Sequence, residues 1–173
     1  MRDKSIWLLE EGDKYPRLKG DIVVDVAIAG GGIAGLTAAY MLKKAGLKVA
    51  VVEANKIAEG VSGHTTGKIT SQHDLIYNKL SRKFDIDTAK LYARANQDAI
   101  ERIEQIINQE KIECNFLSQD AYIYTCIKNK KKDIEQEAKA ALNMGIKSEL
   151  TKETGLPFEV ELALRFKNQA MFH

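Results

Sequence analysis

The sequence predicts an α/β chain that opens with a strand, glycine turn, helix and strand, and continues into helices mixed with short strands. Three observations predict it. A short apolar run, Val24 to Ala29, ends at a glycine cluster that reads G-x-G-x-x-G at Gly30, Gly32 and Gly35. One helix length later, Val49, Val51 and Val52 form a second apolar run that closes on Glu53. Further along, helical periodicity is interleaved with short alternating stretches, which adds α+β character.

The opening unit is Asp21 to Glu53. Val24, Val26 and Ile28 alternate with Asp25, Ala27 and Ala29, the pattern of a buried strand ending at a sharp turn. The first glycine of the fingerprint permits the turn, the second lets a pyrophosphate approach the backbone, and the third lets the helix pack close to the strand. The helix is expected from Ile33 to Ala45, with Leu36, Ala39, Tyr40 and Leu42 toward one side and Gly46 as its stop. Its N-terminus offers free N–H groups and partial positive charge to a phosphate. Glu53, at the end of the next strand, can accept hydrogen bonds from an adenosine ribose and would repel a 2′-phosphate. The unit therefore reads as a Rossmann-like βαβ dinucleotide-binding domain of the FAD/NAD(P) kind, with an incomplete parallel sheet.

Composition fits a folded chain. The 173 residues suit one domain or one and a half, and are 45% hydrophobic and 29% charged. The net charge of +2 gives no reason to invoke nucleic acid or an anionic membrane. Cys114 and Cys126 make no C-x-x-C and no disulfide framework, and are expected to be reduced in a cytoplasmic protein. The start, MRDKSIWLLEEGDKYP, has acids where a signal peptide needs an apolar core. Val23 to Leu42 is largely apolar, but Asp25 and the glycine turn argue against a membrane span. Residues 1–20 form a lead-in, with Trp7 expected to pack on the domain surface.

Beyond Glu53 and Ala54 lies a second small-residue segment, EGVSGHTTGKITSQHDLIY. Gly60, Ser62, Gly63, Thr65, Thr66 and Gly67 offer hydroxyls and little bulk, so backbone there can approach a flat ring or a phosphate. GGGIAGLTAAYMLKKAGLKVAVVE followed by GVSGHTTGKITSQHDLIY resembles the FAD-binding start of the D-amino-acid oxidase-like flavoproteins, which include glycine and sarcosine oxidases. GHTTGKIT is especially similar to a bacterial subgroup, some members of which carry a C-terminal Rieske iron–sulfur domain. The resemblance implies FAD as cofactor. It implies that Gly30, Gly32, Ile33, Ala34 and Gly35 hold the pyrophosphate, and that Glu53 with Ala54 meets the adenosine ribose. Gly63, His64, Thr65, Thr66, Gly67 and Lys68 would lie along the pyrophosphate and the flavin side.

In the rest of the chain, Asp87 to Asn108 reads as a helix with Tyr92, Ala95, Ala99, Ile103 and Ile106 on its apolar face. Ala121 to Ile127 reads as a strand. Lys131 to Asn143 reads as a helix burying Ile134, Ala138, Ala141 and Leu142, with Gly145 as the stop. After the break at Gly155-Leu-Pro157, Phe158 to Phe166 alternates as another strand. With the family resemblance, the expected organisation is a lead-in at 1–20, a partial FAD-binding domain at 21–112 and, at 113–173, the start of an α+β substrate domain that the resemblance implies is largely antiparallel.

Other candidates carry less. His64 sits in the cofactor loop and either faces FAD or bonds its own backbone. His73 is expected to open a helix in a structural role, and His173 ends the chain. No zinc-ligand or Rieske spacing occurs. The lysines at 128, 130, 131 and 132 read as a solvated turn. The resemblance implies the N-terminal part of an FAD-dependent oxidoreductase about twice as long, oxidising a C–N bond of an amine or amino acid with hydride passing to flavin. No catalytic acid or base is identified. Two other readings stand beside it: a non-catalytic module binding the ADP part of FAD or NAD, and an NAD-dependent dehydrogenase domain, against which the loop at Gly60 to Lys68 argues. An incomplete sheet leaves edges that a second copy or a separate chain would cover.

Overall fold

The computed structural model describes residues 5–9 and 12–172. Parts of the lead-in, and His173, lie outside the described residues. The chain forms two compact units, Met1–Thr66 and Gly67–His173. The divide falls inside the stretch 21–112.

The first unit is the βαβ passage. Strand β1 (Val26–Ala29) pairs in parallel with β2 (Val49–Val52), Val26 opposite Val49 and Ala29 opposite Val52. Asp25, an acid in an apolar run, secures the start of that pairing. Its N–H donates to the Lys48 carbonyl (2.9 Å), and its carboxylate accepts from the Lys48 N–H (2.8 Å). Helix α1 (Ile33–Lys44) connects the strands, starting at Ile33 as expected and ending one residue short of Ala45. Gly46, at φ +89°, ends it, and the Leu47 N–H reaches back to the Leu42 carbonyl (3.1 Å). Such a left-handed stop satisfies carbonyls that would otherwise be orphaned.

The second unit packs helices on an antiparallel sheet. Strand β6 (Leu162–Met171) is central. Strand β4 (Leu117–Thr125) runs along one edge, with a register shift between Gln119 and Ala121. Short strands β3 (Lys68–Ile69) and β5 (Ser148–Thr151) pair with the two ends of β6. Helices α2 (Ile76–Lys83), α3 (Ile86–Glu110) and α4 (Lys131–Asn143) supply the other layer. The core joins Tyr77, Ala89, Ala93, Ile134, Ala141, Leu164 and Phe166. The Tyr77 and Phe166 rings stack with centroids 6.0 Å apart.

Several sequence expectations shift here. On α3, Ala95 and Ala99 are exposed, and the buried seam runs through Ala89, Ala93 and Ile100. Asn96 shares that seam because its amide donates to the Tyr92 carbonyl (2.9 Å), which makes a polar residue cheap there. On α4, Leu142 is 70% exposed and Glu137 is wholly buried, so an acid holds the position an apolar reading passes over. Both α4 boundaries stand as expected. Strand β4 begins at Leu117, four residues ahead of Ala121. The last strand starts at Leu162 instead of Phe158. Val160 is buried without joining the ladder, and the polar end of β6 stays in the sheet because buried Gln169 accepts from Ser71 N–H (2.7 Å) and Thr70 Oγ1 (2.9 Å). His73 is exposed and stands three residues before α2, not at its start.

The N-terminus of α2 has no cap of its own. Glu137 of α4 serves instead, accepting from the N–H groups of Tyr77 (2.8 Å) and Asn78 (2.7 Å). A carboxylate there satisfies two orphan donors and complements the helix dipole. Burial nonetheless raises the pKa of Glu137, against the lowering by those two N–H groups. The Lys128–Lys130 turn leads into α4, and Lys130 pairs with Asp133 (3.3 Å).

Candidate functional site

Within the first unit, β1 delivers the chain to Gly30, whose φ of +106° is left-handed and whose absent Cβ would meet nothing within 4 Å. Backbone is thus laid open at the turn. Gly35 is demanded by packing. A Cβ there would stand 2.0 Å from the Gly30 carbonyl oxygen and 3.4 Å from Ile28 Cγ2, so only glycine lets α1 lie this close to β1. Gly32 is the extended residue ahead of α1, and a Cβ on it would approach Ser62 Oγ at 3.1 Å. Ile33 and Ala34 form the exposed first turn of α1.

Glu53 ties the turn to the end of β2. Its Oε2 accepts from Gly31 N–H (2.8 Å) and its Oε1 from Asn55 N–H (2.9 Å). The Asn55 and Gly31 amides hold this carboxyl below its ordinary pKa. Each carboxylate oxygen keeps a further lone pair for a ligand hydroxyl. Ala54, beside it, is exposed.

The loop after β2 returns to the fingerprint. Ala58 N–H donates to the Gly31 carbonyl (2.9 Å), and the 3-10 turn Val61–His64 brings Ser62 Oγ to accept from the Ile33 N–H (2.9 Å). Ser62 thus meets the first donor of α1. In the sequence Ser62 stands only among the small loop residues, and the signal for it is a hydroxyl placed shortly after the acid. Gly63 is buried. The His64 ring bonds the Gly60 carbonyl through Nδ1 (2.9 Å), so Nδ1 carries the proton and Nε2 stays free to accept when the ring is neutral. Thr65 and Thr66 complete this unit. Gly67 and Lys68 belong to the second, where the Gly67 carbonyl accepts from Phe172 N–H (3.1 Å) and Lys68 opens β3.

Gly32, Glu53, Asn55, Gly60 and Ser62 line an open cleft of about 290 Å³. A glycine turn with little side-chain bulk, a helix N-terminus and an acid at the adjacent strand end fit the pyrophosphate and ribose of a dinucleotide. Among the described residues, no group of three or more histidines, cysteines and acids could hold a metal ion, and no helix is long and apolar enough to cross a membrane.

Fold and glycine turn together have the form of a dinucleotide-binding domain. The sequence pattern of the DAO family, described as FAD dependent oxidoreductase, matches residues 25–173, and the chain belongs to that family, whose cofactor is FAD. Among curated relatives it is 44% identical over 159 residues to YhfW of Bacillus subtilis (strain 168), a protein named for a Rieske 2Fe-2S iron–sulfur centre, covering 92% of this chain and 31% of YhfW. It is 29% identical over 102 residues to gamma-glutamylputrescine oxidoreductase of Escherichia coli (strain K12), covering 59% of this chain and 24% of that protein. The chain thus spans under a third of these relatives. Of solved structures, L-amino acid deaminase from Proteus vulgaris aligns at a TM-score of 0.65 with 17% identity, over 90% of this chain and 36% of that one. Glycine oxidase from Bacillus cereus ATCC 14579 aligns at 0.63 with 20% identity, over 87% of this chain and 40% of that one. These structural likenesses carry the fold alone, a mixed α/β arrangement with a parallel and an antiparallel sheet.

Proposed function

We propose that the chain is the FAD-binding, N-terminal part of a cytoplasmic oxidoreductase that oxidises a C–N bond of an amine or amino acid. The observation that carries this reading is the junction at Glu53, where one carboxylate joins the glycine turn to the exit of β2 beside the N-terminus of α1. Gly30, Gly32, Ile33, Ala34 and Gly35 would take the pyrophosphate, and Glu53 with Ala54 the adenosine ribose. The loop from Gly63 to Thr66 would run along the pyrophosphate and the flavin side, with Gly67 and Lys68 carried into the same role by family resemblance. When bound, FAD supplies a two-electron acceptor, so that a C–N single bond becomes C=N as hydride leaves carbon and a proton leaves nitrogen. An amine substrate draws support from the E. coli relative named for gamma-glutamylputrescine.

In the first unit Val23 is 84% exposed and Val52 49%, apolar surface that further polypeptide or a second copy would cover. The test of the reading has two stages. FAD is titrated into the chain and followed by its visible spectrum, and the complex is then exposed without oxygen to amino acids, diamines and 2-hydroxy acids. Bleaching by an amine, with ammonia or a shortened amine released after hydrolysis, supports the proposal. Bleaching by hydroxy acids alone moves the chemistry to C–O bonds.

A further inference from the structure

The strongest feature outside the fingerprint is the N-terminal 3-10 turn, Ile6–Leu8, and its seat on the cofactor loop. Trp7 is half-buried, and its indole N–H donates to the Thr65 carbonyl (2.7 Å). A buried indole N–H needs such a partner, and the bond ties residues 58 positions apart. Leu8 closes on Gly63. A Cβ at Gly63 would stand 2.7 Å from Leu8 Cδ2 and 2.6 Å from the Ala58 carbonyl oxygen, so the loop is glycine where the N-terminal turn presses on it. The other side of the loop is held to the fingerprint by Ala58 N–H to the Gly31 carbonyl and Ile33 N–H to Ser62 Oγ, each 2.9 Å.

We propose that Trp7 and Leu8 are positioning residues, a strap that holds the turn Val61–His64 in the shape that brings Ser62 to the N-terminus of α1. This rests on the reading of that loop as part of the FAD site. The physical ground is the loop's own weakness. Gly60 precedes the turn and Gly63 lies within it, which gives the loop large conformational freedom, and Val61 is 91% exposed and adds no packing. Without an outside tether the loop would be ordered only at the expense of binding energy. A strap ordered before the ligand arrives removes that cost.

The test is amide hydrogen exchange on the cofactor-free chain, comparing wild type with Trp7→Phe, Trp7→Ala and Leu8→Ala, with FAD titrated into the same four proteins. Trp7→Phe keeps a ring and removes only the N–H, and is expected to speed exchange at Ile33 and Gly63 about fivefold. Trp7→Ala and Leu8→Ala also lose packing, and are expected to speed it tenfold or more. Amides in the β1–β2 pairing of the same unit should keep wild-type rates, which separates a loosened loop from an unfolded first unit. FAD affinity should fall in the same order. Unchanged exchange at Ile33 and Gly63 in both alanine variants overturns the strap. Faster exchange with unaltered FAD affinity overturns its role toward the cofactor. If wild type takes up no FAD, the reading of the site fails, while exchange still decides whether the strap orders the loop.

Discussion

Replacing Gly35 by alanine tests the packing that places α1 against the glycine turn. In an ordinary exposed helix the change is favourable by about 0.5–1 kcal/mol, because alanine loses less backbone entropy than glycine. Here the added methyl would stand 2.0 Å from the Gly30 carbonyl oxygen, when real Cβ atoms essentially never come within 3.0 Å of such a neighbour. The obstacle is backbone, so no side chain can swing aside, and α1 must retreat by about 1 Å or the turn must deform. Overpacking of this kind costs about 1–3 kcal/mol or more, which outweighs the helix gain and predicts net destabilisation by roughly 1–2 kcal/mol. Urea unfolding followed through Trp7 reads this directly, because the chain has a single tryptophan and it lies in the first unit. Thr37→Ala, at an exposed position of α1, serves as the control and should be neutral or slightly stabilising. A Gly35→Ala chain as stable as wild type would refute the close approach of helix and turn.

Further predictions follow from single contacts. Glu53→Gln removes a charge and one acceptor, and should weaken FAD binding at least about tenfold in a fluorescence titration. Because Asn55 and Gly31 lower the Glu53 pKa, the order it confers is present above the ordinary carboxylate pKa and is lost as pH falls through the lowered folded value. A pH series of Trp7 emission should show that loss in wild type and not in Glu53→Gln. Glu137→Ala leaves the Tyr77 and Asn78 amides without their acceptor and should cost on the order of 1–3 kcal/mol for each, read by near-ultraviolet circular dichroism of the second unit. Burial raises the Glu137 pKa, so its contribution is greatest below the unfolded value and declines as pH rises through the folded one, a slope that Glu137→Gln should remove. Asp85 caps α3 by accepting from Asp87 N–H (3.1 Å) and Thr88 N–H (2.9 Å), and Asp85→Ala should lower the melting temperature by a few degrees.

The βαβ passage was legible because its signals are local. Glycines at fixed offsets, an apolar run on either side and a stop at Gly46 leave one solution, and the structure holds α1 and β2 within a residue of those bounds. The second unit was legible in its elements and less so in their faces. Glu137 lies on the buried side of α4, where its charge is spent on another helix's amides, and no pattern within 131–143 announces that partner. The seam of α3 was displaced by Asn96, whose amide bonds its own helix. Strand β5 is four residues long, and its pairing with β6 spans the break at Gly155, so it had no local signature. Ser62 and Trp7 are the same case at the site. Their types were visible, but their importance depends on Ile33 and Thr65, which the fold brings to them from far along the chain.

The measurement that bears most directly on the account is competitive binding of ADP, FAD and 2′,5′-ADP to the chain, with Glu53→Ala beside wild type. ADP is expected to displace FAD from one shared site, 2′,5′-ADP to bind far more weakly because its extra phosphate meets Glu53, and Glu53→Ala to reduce ADP and FAD binding while narrowing the gap to 2′,5′-ADP. Failure of both ADP and FAD to bind, or equal binding of all three to wild type and variant, would contradict it.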